Sequence, residues 1–209
     1  MLKLNSFNKE LRNILRRNIR TLGICIASLD PKSYEDVCDK LNELRCLTEF
    51  DFIEGINDRE IMSKLIKDYP CYTLGSLIRD PEGDIYKQFE DACILAKDLN
   101  IKYLMFGGYQ VRIKNKIDYA KFFELAKKYN RHLLLEPLKG TFPGTLEEVV
   151  KLQEKFKEKG LHLCLKNAEI NQDDFCKYID RIENCHISFE LFLKYNKELE
   201  DLTRFTLEI

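Results

Sequence analysis

The sequence has no tryptophan and no long apolar run. Its large side chains are 13 phenylalanines and 10 tyrosines among 209 residues, and these must anchor the core. No apolar stretch approaches the roughly 18 residues of a membrane span. The stretch MLKLNSFNKELRNILRRNIR is charged and lacks the apolar segment of a secretory signal. We therefore expect a cytoplasmic protein that does not enter a membrane.

An excess of charge of either sign is also missing. The chain carries 34 basic and 35 acidic residues, which gives a formal net charge of −1. A protein that binds nucleic acid along its surface usually has a basic field or patch. We therefore expect no nucleic-acid partner.

The eight cysteines are scattered singly and form no C-x-x-C pair. Zinc ribbons are built on such pairs, so a zinc ribbon is not expected. Most cysteines lie in apolar patterns, such as Cys25 in LGICIASL and Cys164 in LHLCLKN. This pattern is typical of buried, reduced thiols in a cytoplasmic protein.

No linker rich in proline, glycine or serine divides the chain. Instead, short apolar runs alternate with stretches of helical spacing. The predicted strands are 21–29, 50–56, 71–78, 101–108, 132–138, 161–167, 185–189 and 204–209. The predicted helices are 33–45, 58–69, 84–99, 118–130, 145–160, 171–182 and 190–202. Such alternation predicts parallel strands joined by crossover helices.

Eight such units predict an α/β fold, a small (β/α)8 TIM barrel formed by a single domain over residues 1–209. An open doubly wound sheet is the alternative, but its G-x-G-x-x-G fingerprint is absent after strand one. Ser33 and Thr145 are predicted to cap their helices, and Gly160 to end the helix over 145–160. Residues 6–17 predict an extra amphipathic helix within an N-terminal extension, 1–18. We expect it to cover the barrel floor; a basic arm for nucleic acid or membrane is the alternative.

Polar side chains are predicted at the carboxyl ends of the strands, where barrels of this kind place their chemistry. Carboxylates and a histidine from successive strands suit a divalent cation such as Mn²⁺, Mg²⁺ or Zn²⁺. Such an ion polarises a carbonyl while a carboxylate moves a proton. The residues expected at the mouth are Asp30, Glu54, Arg79, Asp80, Gly107, Gly108, Tyr109, Gln110, Glu136, Lys166, Asn167, Glu169, His186, Ser188 and Glu208.

Several local signatures resemble the xylose isomerase-like TIM barrel superfamily, which includes sugar isomerases, 3-epimerases and endonuclease IV. The similar segments are FDFIEGI (50–56), FEDACILAKDLNIKYLMFGG (89–108), LLLEPL (133–138), LHLCLKNAEI (161–170) and CHISF (185–189). The resemblance covers roughly residues 20 to 190.

The resemblance implies metal ligands at Glu136 and His186, and at Glu208 on the last strand. The chain also departs from the pattern. Lys166 stands where the family has an aspartate, Glu169 replaces the motif's histidine, and Phe189 replaces the aspartate after His186.

Lys166 has several interpretations. Its ammonium group could occupy the place of the metal and pair with Glu136 and Glu208. Alternatively, it repels the ion unless deprotonated, and Glu169 becomes the ligand. A Schiff-base amine is a third option, but neighbouring carboxylates would raise its pKa. A structural salt bridge between Lys166 and Glu136 is the simplest one.

Endonuclease IV needs several histidines around a zinc cluster, and this chain has three. Of these, His132 and His162 begin predicted strands and so lie at the opposite end of the barrel from the mouth. A three-zinc nuclease is therefore not expected.

The first functional hypothesis is a sugar or sugar-phosphate isomerase or epimerase that uses divalent metal-assisted proton transfer next to a carbonyl. The expected catalytic residues are Glu136, Glu208 and Lys166, and the expected metal ligands are Glu136, Glu169, His186 and Glu208. The expected contacts to a sugar-like substrate are Glu54, Gly108 and Asn167. The alternative is a degenerate, metal-free barrel that binds a small molecule or a protein without catalysis.

Overall fold

The computed structural model describes most of the predicted barrel. The described residues are 19–29, 33–47, 52–107, 117–137, 140, 142–158, 160–164, 177–178 and 184–189. The strands are β1 (Ile19–Cys25), β2 (Phe52–Ile56), β3 (Cys71–Gly75), β4 (Tyr103–Phe106), β5 (His132–Leu135), β6 (Gly160–Cys164) and β7 (Asn184–Phe189). The α-helices are α1 (Tyr34–Leu47), α2 (Arg59–Leu65), α3 (Ile85–Asp98), α4 (Tyr119–Lys128) and α5 (Leu146–Lys155).

The described strands form a closed parallel barrel in chain order. Each strand pairs in parallel with the next one, and β7 pairs in parallel with β1, with Ser188 opposite Gly23. The predicted α/β barrel is therefore confirmed. Within the described part of the chain the ring closes with these seven strands. The predicted strand over 204–209 lies outside that part, as do the helices over 6–17 and 190–202.

Each described α-helix begins at a side chain that accepts a hydrogen bond from the first turn. Ser33 and Thr145 have this role, as predicted, with Oγ acceptors 3.1 and 3.2 Å from the amide nitrogens of Asp36 and Glu148. Glu148 closes a capping box on α5. Aspartates cap the other three helices: Asp58, Asp84 and Asp118. Since helices follow strands in the chain, these caps lie at the mouth of the barrel.

Three described helices end in the same way. Asn100, Asn130 and Lys157 have φ of +56°, +55° and +59°. After each one, the next amide bonds to a carbonyl five residues back, at 2.7 to 2.8 Å. This is the Schellman ending. It corrects one prediction: α5 ends at Lys155, and Gly160 begins β6 rather than ending the helix.

Strand residues alternate between two environments. Outward-facing side chains pack with the helices in the main apolar core. Phe106 on β4, for example, lies against Phe89 of α3 and Phe122 of α4, with ring centroids 6.2 and 4.6 Å apart. Because neighbours along a strand alternate, Tyr103 and Met105 point into the barrel. No helix in the described ranges is long and apolar enough to cross a membrane.

Candidate active site

Glu136 follows directly on β5 at the barrel mouth. Its amide donates to the Phe106 carbonyl at 3.1 Å, which extends the β4–β5 pairing by one residue. Leu135 packs in the outer core, so alternation directs Glu136 inward, as it does Leu134. The Glu136 side chain is only 4% exposed. The predicted delivery of a buried acid to the strand end is thus what the structure shows.

Gly107 makes room for the Glu136 carboxyl group. A methyl group built at Gly107 would overlap Glu136, with its Cβ at 2.5 Å and its Cδ at 3.0 Å. Real Cβ atoms do not approach other atoms this closely. The glycine that ends the apolar run of β4 is therefore part of the site, because it lets the carboxylate occupy the mouth. Gly107 was predicted at the mouth, but without this role.

Glu54 is a second buried carboxylate inside the barrel. It was expected at the end of strand two, but it is the third residue of β2 and only 1% exposed. The Cys25 thiol donates a hydrogen bond to Glu54 Oε1 at 3.3 Å. On the other side, Oε1 would lie 2.8 Å from a methyl group built at Gly75. Neither neighbour could be predicted from the sequence, because only the register between strands brings them close to Glu54.

The surroundings of Glu54 affect a nearby thiol. Burial, together with the negative charge of Glu54, raises the pKa of Cys71 to about 12. Cys71 therefore stays a neutral thiol near neutral pH, and its Sγ donates to the Thr73 carbonyl at 3.3 Å. Cys71 packs against the outer apolar core, where its Sγ would lie 3.0 Å from a methyl group built at Gly55.

The loop after β3 forms an ordered part of the rim. The Gln88 amide oxygen accepts from the amides of Arg79 and Asp80 at 3.0 and 2.9 Å. The Arg79 guanidinium lies 3.3 Å from the Asp58 carboxylate. Arg79 and Asp80, predicted at the end of strand three, therefore lie in the loop beyond it, since β3 ends at Gly75.

Most of the other predicted site residues lie outside the described residues, or only their backbone is described. Gly108, Lys166, Asn167, Glu169 and Glu208 lie outside the described residues, as do Asp30, Tyr109 and Gln110. For His186 the backbone is described in β7, opposite His162 of β6. His132 begins β5, as expected, and its Nδ1 lies 3.0 Å from Glu158 Oε2.

A divalent metal needs several ligands close together. Within the described ranges, no group of three or more His, Cys, Asp or Glu side chains could hold an ion. Glu136 is a carboxylate at the mouth, and carboxylate oxygens are a ligand type that divalent cations accept. Two buried carboxylates in one barrel can accept protons from a bound molecule and return protons to it.

The closed parallel barrel of this chain is shared by proteins of known structure. No known family profile matches the sequence, and no curated protein matches it by sequence. Solved structures do match. A D-allulose 3-epimerase from Methylomonas sp. has a TM-score of 0.57 and 14% identity, with 81% of this chain and 73% of that chain covered.

Two further structures have the same fold. A D-psicose 3-epimerase, solved in the presence of D-fructose, has a TM-score of 0.53 and 13% identity, with 90% and 99% of the two chains covered. A 3-hexulose-6-phosphate synthase from Salmonella typhimurium has a TM-score of 0.51 and 13% identity, with 90% and 99% covered. The fold expected from the resemblance to the xylose isomerase-like barrels is thereby confirmed. At these identities the likeness is one of fold.

Proposed function

We propose that this protein is an isomerase or epimerase of sugars or sugar phosphates that moves a proton next to a carbonyl. The observation that carries the proposal is the buried Glu136 carboxylate at the end of β5, in the space that Gly107 leaves. A carboxylate held at a barrel mouth is suited to remove a proton from a carbon made acidic by a neighbouring carbonyl. Several proteins with the same fold are named as sugar 3-epimerases.

A divalent metal, Mn²⁺, Mg²⁺ or Zn²⁺, would be bound at the mouth and would polarise the substrate carbonyl and hydroxyl. Its ligands would be Glu136, Glu169, His186 and Glu208. Glu136 or Glu208 would carry the proton, and Lys166 would hold an anionic oxygen of the substrate. Glu54, Gly108 and Asn167 would contact the rest of the sugar.

The test measures proton exchange directly. The protein is purified without chelator, its metals are measured by mass spectrometry, and Mn²⁺ or Zn²⁺ is offered. Ketoses, aldoses and their phosphates are then incubated with it in D₂O. Deuterium entering the carbon next to the carbonyl, followed by NMR, is the expected result. Glu136→Gln should lower this rate by about 100-fold or more, because the amide cannot accept the proton.

The matched control is Glu60→Gln on α2. Glu60 is exposed and pairs with Lys64 at 3.2 Å on the helix surface, so its loss should leave the exchange unchanged. No exchange on any sugar with metal supplied would contradict the proposal. Retention of a small molecule or partner protein without exchange would then favour the metal-free binding module.

A further inference from the structure

Cys25 and Glu54 are neighbours by register as well as by contact. Cys25 is the last residue of β1, and the β1–β2 pairing sets it directly opposite Glu54. Both side chains are buried, with 4% and 1% exposed. The Sγ to Oε1 distance of 3.3 Å, with sulfur as donor, is a hydrogen bond to a carboxylate oxygen. The pair therefore lies inside the barrel and not in the helix-packed core.

The opposite side of the carboxylate is defined by β3. A methyl group at Gly75 would lie 2.8 Å from Glu54 Oε1 and 3.2 Å from Met105 Cε. Oε1 thus occupies space that any larger residue at position 75 would fill. The carboxylate is held between a donor on β1 and a glycine on β3, so its orientation is set by both neighbouring strands.

We propose that Cys25 is a positioning residue, whose thiol fixes the Glu54 carboxylate in the orientation that meets the substrate. This inference rests on the proposed function, in which Glu54 contacts the substrate. Cys25 on β1 contacts Glu54, Thr73 on β3 is paired with it by register, and Met105 on β4 lies beside Gly75.

The contact itself is tested without turnover. Infrared spectra of the S–H stretching region are recorded for the wild type, Glu54→Gln, Cys25→Ala and the double variant. The expected result is one S–H band that is missing in Cys25→Ala and that shifts in Glu54→Gln. A band of Cys25 unmoved by Glu54→Gln would overturn the proposal.

Kinetics then test the role. Cys25→Ala should lower the rate of deuterium exchange by roughly 10- to 100-fold, because a carboxylate displaced by about 1 Å loses that much. Cys25→Ser keeps a donor of similar size and should restore most of the rate. The control is Cys93→Ala, which removes an equally buried thiol from α3 in the outer core. It should lower stability and leave the rate unchanged.

The outcomes separate this inference from the proposed function. A wild type that exchanges deuterium, with Cys25→Ala and Cys25→Ser both matching it, would overturn the role of Cys25 alone. A wild type without exchange on any sugar would overturn the proposed function, and with it the assignment of Cys25 to a reaction. A rate lost in Cys25→Ala and restored in Cys25→Ser, with the band shift, supports the inference.

Discussion

Glu136 and Gly107 form a matched pair of residues on neighbouring strands. A carboxylate taken out of water needs polar or charged neighbours, so its position is under strong constraint. The space for it exists because the residue that follows β4 has no side chain. The acid at one strand end and the glycine at the next therefore depend on each other.

At this residue scale, Gly107→Ala should destabilise the protein by roughly 1 to 3 kcal/mol through overpacking. Most of that loss should disappear in the background of Glu136→Ala, which removes the overlapping atoms. The coupling energy from urea unfolding of the two single variants and the double variant is expected at roughly 0.5 to 3 kcal/mol.

The control for this cycle replaces Glu136→Ala by Glu60→Ala. Glu60 is an exposed residue of α2, so its effect should simply add to that of Gly107→Ala. Additivity in the Glu136 background as well would contradict the close packing of Gly107 against Glu136.

At the scale of elements, the helix ends are set by a few local residues. Asn100 and Asn130 adopt the left-handed conformation at their helix ends, which asparagine tolerates better than most residues. Lys157 adopts it at the end of α5, where a long side chain offers no such advantage. The α5 ending is therefore the least favourable of the three.

Replacing Lys157 by glycine should stabilise the protein by about 1 kcal/mol, because glycine has no Cβ to clash at positive φ. The midpoint of urea unfolding measures the gain. Lys155→Gly, two residues earlier and inside α5, is the matched control and should cost about 1 kcal/mol. A loss of stability in Lys157→Gly would show that the left-handed ending is wrong.

The cap of α2 makes stability depend on pH. Partial burial pushes the pKa of Asp58 upward, but the hydrogen bond from the Ile61 amide and the Arg79 guanidinium outweigh it, so the pKa lies below its ordinary value. A carboxyl group with a lowered pKa stabilises the fold above its unfolded pKa, and this contribution is lost as the pH falls through the folded value.

Asp58→Asn should keep the cap, since asparagine caps as well as aspartate, but lose the charge beside Arg79. The wild type should be the more stable protein near pH 7, and the difference should shrink as the pH falls below about 4. Urea unfolding at several pH values measures it. A difference that stays constant down to low pH would contradict the pKa shift.

At the scale of the whole molecule, the described strands leave no free sheet edge. β1 pairs with both β2 and β7, and the interior and exterior of the ring differ in character. Glu54 and Glu136 lie inside, whereas the large aromatic cluster around Phe106 lies outside, under the helices. The barrel interior therefore contains buried carboxylates, whereas the apolar core lies between the strands and the helices.

Ring closure predicts the pattern of hydrogen exchange. The amides of β1 and β7 should be protected together and to the same degree as those of β2 and β3, because all are paired on both sides. Peptides covering 19–25 and 184–189, followed by mass spectrometry, provide the measurement. Fast exchange confined to those two peptides would indicate an open sheet with β1 and β7 as edges.

Much of the fold could be predicted from local pattern. The strands and helices between residues 33 and 155 were predicted within a few residues, because alternating apolar runs and cap residues are local signals. The depth of Glu54 and the end of α5 could not be. The depth of Glu54 depends on how far the pairing of β2 with its neighbouring strands extends. The end of α5 depends on Lys157 adopting the left-handed conformation, which no sequence rule predicts for lysine.

Local sequence patterns were enough to predict the α/β barrel and the position of Glu136 at a strand end, because strand periodicity and a terminal acid are properties of contiguous residues. Which distant residues lie side by side depends on the folded barrel. Gly107 opens onto Glu136, and Cys25 and Gly75 hold Glu54 from both sides. These contacts arise from the register between parallel strands, which is set by packing across the barrel rather than by any one segment.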